Sequence, residues 1–360
     1  MSLATGICAF AADGSNDGYG LPRTGNAAQS SAVPTPVLLT DTAIGNTQTV
    51  DITADSITPH SATLRWSSDV PYISYTLLKY NVLTGAYQEY LSAAQNELSL
   101  DGLREDTEYR FALVSSNKEF LGEVSFTTGI EKPEVTVEKV SSGYVTLRVT
   151  ASAAATGTVL YRSTDGENFT ELATLDGDTY TDTDVQQATA YYYKAQSTAV
   201  RNDKTTESLT SAPVKATTLK SFGLPAVSGA TKTYAFYTAV TAKGSPQYKL
   251  LRSKDCYTDP ATGIRMVDGR YCVALGSYYG TKIGTKYRIT LEGGKEIEVI
   301  LCDQKSDRHT DANHQYAVNN SDIVEFYIER SKLPRGIRGN YGTLPQFSGA
   351  VVAIEQYIED

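Results

Sequence analysis

The chain has 360 residues and a net charge of −9, with 25 tyrosines but two methionines and one tryptophan. Residues 222–360 carry 17 Lys+Arg against 15 Asp+Glu, and residues 1–221 carry 15 against 26. Neither half is basic enough for a nucleic-acid partner, and no apolar run of about 20 residues could span a membrane. Such a length allows roughly two to four domains, and a composition rich in Tyr, Thr, Val and Ser favours strands. The slight positive excess at the C-terminal end suits an anionic surface.

The chain begins with an apolar stretch that ends in Ala9-Phe10-Ala11, a small-x-small pattern. Residues 1–11 therefore read as the remnant of a secretory signal, and the protein is expected to be secreted. Leu21-Pro22-Arg23-Thr24-Gly25 spells a sortase pattern, but at the wrong end of the chain, so it is read as coincidence. Residues 12–47, rich in Ala, Ser, Thr and Pro in their second half, read as a disordered linker.

Residues 48–129 form the first module. Ala62, Leu64 and Trp66 alternate inward along one strand, and residues 72–81 repeat the pattern. Leu103, Thr107, Tyr109 and Phe111 have the spacing of a tyrosine corner. Residues 130–220 repeat the plan, with a hairpin at Asp165-Gly166 and Val185, Thr189, Tyr191 and Tyr193 in the corner positions. Because order and spacing recur, both modules resemble fibronectin type III domains. In secreted bacterial enzymes such modules are usually spacers, so the chemistry is sought downstream.

Residues 221–360 show short apolar runs separated by glycine turns: 234–240, 271–279, 287–291, 297–303, 322–329 and 349–358. That is the pattern of a small six-stranded β-barrel, making the whole chain all-β. Of the cysteines, Cys8 falls in the signal. Cys256, Cys272 and Cys302 are odd in number, so one pair can bridge and leave a thiol, or all can be buried and free. Their spacing does not fit zinc.

YCVALGSYYGTKIGTKY (271–287) resembles the opening of the double-psi β-barrel of three-aspartate (3D) domains, with Ile283-Gly284-Thr285 as its apolar-Gly-Thr turn. Asp303 then matches the Asp-led strand end and Glu325 the final acidic position. More closely, residues 234–330 resemble cell-wall hydrolase domains of Firmicutes. The resemblance implies cleavage of peptidoglycan glycan strands, as by lytic transglycosylases, in which one carboxylic acid protonates the glycosidic oxygen. Asp303 ends an apolar run, where desolvation would raise its pKa, and is the leading candidate acid. Glu325, inside Ile323-Val324-Glu325-Phe326, is the second.

Two features depart from that family. Its first aspartate would fall at Gly276 or Ser277, and Gln304-Lys305 replace its Gly-Gly. A non-catalytic, glycan-binding or expansin-like role therefore stands as the alternative. Candidate substrate-binding residues are Tyr278, Tyr279, Lys305, Asp307, His309 and Asp311, with Tyr316 as a further stacking ring. Asp307-x-His309-x-Asp311 offers acceptors for a cation but lacks a completing ligand. A solvated loop is the preferred reading, with no metal, no cofactor and a monomeric protein expected.

Overall fold

The computed structural model describes residues 39–40, 50–68 and 72–359. The signal remnant at 1–11 and most of the linker at 12–47 lie outside the described residues. Within that linker, Leu39–Thr40 is a short strand paired with Tyr87 and Ala86.

The first module packs two antiparallel sheets. One joins Asp51–Asp55, Ser61–Ser67 and Glu97–Asp101; the other joins Ala86–Ala93, Tyr75–Asn81, Glu108–Ser115 and Phe120–Thr127. Strand periodicity points Ala62, Leu64 and Trp66 inward, where Trp66 meets Tyr75 edge-on at 5.2 Å. The second module repeats this order. Glu134–Val140, Val145–Thr150 and Thr179–Asp182 face a sheet built on Gly157–Ser163 and Ala190–Arg201. Each has its corner: Tyr109 Oη accepts the Arg104 N–H and Tyr191 Oη the Gln186 N–H, both at 2.8 Å. Both modules are fibronectin type III-like β-sandwiches.

The remaining residues form one mixed nine-stranded sheet. Each of the six apolar runs contributes a strand, Thr233–Phe236, Arg270–Leu275, Lys286–Leu291, Lys295–Gln304, Glu325–Ile328 and Val351–Gln356, while Tyr237–Ala239 and Ser277–Tyr279, the far ends of two runs, form short 3-10 turns. Three short strands and a helix, Pro246–Leu251, join them; Ser245 caps the helix by accepting the Tyr248 N–H at 3.1 Å. Two pairs are parallel, Thr233–Phe236 with Glu325–Ile328 and Arg270–Leu275 with Lys295–Gln304. The main core gathers Val273, Leu275, Ile289, Val299, Leu301, Phe326 and Phe347 on one side. The opposite side buries Cys256, Cys272, Ala274, Ile300, Cys302 and Tyr327. All three cysteines are free and buried, so the bridged alternative is not realised.

The second sandwich is joined to this unit by more than the chain. Lys220–Ser221 pairs with Gln356 and Glu355 as an edge strand. Glu355 accepts from Ser141 Oγ at 2.8 Å and Ser142 N–H at 2.7 Å, and Arg288 donates to the Val140 carbonyl at 2.6 Å. Both Glu355 and Arg288 are buried.

Candidate functional site

One row of the mixed sheet builds the site. Thr233, Glu325, Ala274 and Asp303 stand side by side across four strands. A shift of register between Val273 and Ala274 sets Asp303, rather than Cys302, opposite Ala274. Alternation sends Phe326 and Ile328 into the main core, which turns Glu325 and Tyr327 to the other side. There the loop after Gln304 covers part of the sheet and leaves a cleft of about 310 Å³, lined by Thr233, Lys305, His309, Asn320, Asp322 and Glu325 among others. That volume is at the lower end for ligand pockets.

Glu325 is the carboxyl on the cleft wall that sequence reading ranked second. Burial pushes its pKa up, Lys305 pulls it down, and the Asp322 and Asp303 charges push it up again. Asp303 takes a different position from the one expected of the leading acid. It does not line the cleft: Oδ2 accepts the Tyr327 hydroxyl and Oδ1 the Gln304 N–H at 2.9 Å. Burial and the Asp303 carboxylate both raise the Tyr327 phenol, so Tyr327 stays the donor.

Lys305 is not a surface cation. It is buried and donates to Asp322 Oδ2 at 3.0 Å. Asp322, which the sequence reading passed over, is fully buried, accepts from Thr233 Oγ1 as well, and is raised by burial against the opposing pull of Lys305. Its only sequence signal was a charge at the head of the apolar run Ile323-Val324. Lys232 was missed too. Its buried ammonium donates to the carbonyls of Gly229 at 3.0 Å and Gly349 at 2.9 Å, and burial lowers its pKa to about 8. It anchors the chain just before Thr233.

The other candidates divide. His309 lines the cleft. Tyr279 is only 1% exposed and sits in the main core, so its ring cannot stack on a sugar. Its neighbour Tyr278 is partly exposed but lies edge-on to Phe222 at 5.9 Å. Tyr316 packs against the core. Asp311 caps its own turn, accepting the N–H groups of Asn313, Gln315 and Tyr316, which hold its pKa low against burial. Asp307 accepts from Ser277 Oγ at 2.8 Å, outside the cleft lining. No group of three or more His, Cys, Asp or Glu among the described residues is placed to hold a metal ion.

Gly276 leaves no room for a side chain. A Cβ there would stand 1.9 Å from the His314 carbonyl oxygen, so no aspartate fits while this loop crosses so close.

No family model matches the chain, and no curated protein matches it. Among solved structures, a two-domain fibronectin type III segment from chicken tenascin is similar, with 17% identity and a TM-score of 0.35 over 47% of this chain and 98% of that one.

Proposed function

We propose that the C-terminal unit cleaves peptidoglycan glycan strands by general acid catalysis, with Glu325 as the proton donor. The observation that carries this reading is a carboxyl raised by burial on the wall of a polar cleft large enough for one sugar ring. Glu325 gives its proton to the glycosidic oxygen as the C1–O bond breaks. The 6-hydroxyl of the same sugar attacks C1, and its proton returns to the Glu325 carboxylate. The products are a free hydroxyl on one fragment and a 1,6-anhydro ring on the other, so no second nucleophilic carboxylate is required. Thr233, Asn320 and His309 supply hydrogen-bonding groups toward a hydroxyl-rich ligand.

In this proposal the nine-stranded sheet contains a double-psi-like barrel of six strands, for which the two parallel pairs are supporting evidence. The sandwiches act as a spacer, and the protein is secreted or wall-associated. A second reading, binding or loosening of glycan without cleavage, is favoured by one fact: Asp303 is engaged by Tyr327 rather than open to the cleft. Digestion of purified sacculi by the full chain separates the two. Release of 1,6-anhydro-muropeptides supports cleavage; retention on sacculi without soluble product supports binding alone.

A further inference from the structure

Asp322 has no part in the proton transfer just described, yet its placement is costly. It is fully buried, and Oδ1 has no hydrogen-bond partner among the described residues. A buried carboxylate with one unsatisfied oxygen carries a desolvation penalty that fold alone gives no reason to keep. The other oxygen takes Lys305 Nζ and Thr233 Oγ1. Thr233 in turn stands opposite Glu325 in the parallel pair and also interacts with its carboxyl.

We infer that Asp322, clamped by Lys305, is a positioning residue that holds the working proton on Glu325. The inference rests on the general-acid reading of Glu325 and specifies how that acid is set. Few groups face Glu325. The strand Thr233–Phe236 contributes uncharged Thr233, and Arg270–Leu275 contributes Ala274. Lys295–Gln304 contributes Asp303, one strand further away. The covering loop contributes Lys305, His309 and Asp322. Two carboxylates thus favour a protonated Glu325, and one ammonium opposes them. Lys305 has a double role. It opposes the rise that burial imposes on Asp322, and it limits how far Glu325 is driven.

The test uses the full chain carrying ¹³C at the glutamate carboxyls. The Glu325 signal, identified by its loss in Glu325→Gln, is followed against pH in wild type, Asp322→Asn, Lys305→Met and the double variant. The inference expects the midpoint to fall in Asp322→Asn and rise in Lys305→Met, with the double variant below Lys305→Met. Should Asp322→Asn fail to fold, because it leaves Lys305 buried and unpaired, Lys305→Met against the double variant carries the same comparison. Midpoints that stay put, or that move in one direction in both single variants, overturn it. The readout needs no turnover. Shifted midpoints in a protein that cleaves nothing would remove the glycan-cleavage reading alone; unmoved midpoints in an active enzyme would remove the positioning role alone.

Discussion

At Glu325, burial disfavours the charge more than Lys305 favours it, so the side chain titrates above its ordinary value of 4.5. As pH rises through that window, the folded protein keeps a proton that the unfolded chain has lost. Stability therefore falls across the window and levels off above it. Glu325→Gln escapes this loss: its thermal midpoint should equal wild type near about pH 4 and exceed it near about pH 8. Equal midpoints at both would show that Glu325 is not perturbed. Activity separates the two acids. Removing a general acid lowers the rate by about 10²–10⁴-fold, and that loss is expected for Glu325→Gln. Asp303→Asn weakens a hydrogen bond to Tyr327 behind the site, so its loss should be about tenfold or less. A larger loss at Asp303 than at Glu325, in initial rates on sacculi, would reverse the assignment. Sequence alone ordered these residues the other way, with Asp303 first. Both end or interrupt apolar runs, and only the register across Ala274, with Tyr327 closing on one carboxyl, tells them apart.

The elements were more legible than the site they build. Period-two alternation identified Ser61–Ser67, because a half-buried strand must alternate, and short apolar runs between glycine turns marked the six strands of the C-terminal unit. Tyr corners were readable because the hydroxyl bonds a backbone N–H five residues upstream, which fixes the spacing. Long-range approach was not readable. Tyr279 looked like a ring for stacking, but Phe222, from 57 residues earlier, meets it at 5.5 Å and helps bury it. Gly276 likewise carries no turn signal; its need arises from the His314 carbonyl crossing above it. Gly276→Ala should displace the loop around 311–317 and lower stability by about 1–3 kcal/mol. A thermal melt unchanged from wild type, with no added protease sensitivity in that loop, would contradict this.

Across the whole molecule, the junction between the second sandwich and the C-terminal unit is a bonded surface. Glu355 is penalised by burial, yet donors from Ser142 and Ser141 pull its pKa below the ordinary value. Its stabilisation is therefore present above about pH 4.5 and is lost as pH falls through the lowered pKa. Glu355→Ala should loosen the junction by about 1–3 kcal/mol at neutral pH. In calorimetry the transitions of the two units should separate further, and an unchanged trace would argue that the contact is incidental. The same surface revises where the chain can be cut. A fragment starting at 222 loses the edge strand Lys220–Ser221, and it leaves Glu355 and Arg288 without their partners in residues 140–142. Such a fragment should melt below the corresponding transition of the full chain.

The central claim is that Glu325 donates a proton to a glycan. Its most direct test is digestion of purified sacculi by the full chain and by Glu325→Gln, with soluble products analysed by mass spectrometry. The account predicts 1,6-anhydro-muropeptides from the wild type and a loss of about 10²–10⁴-fold in the variant with its fold intact. Undiminished release by Glu325→Gln, or no product from a wild type that still binds sacculi, would contradict it.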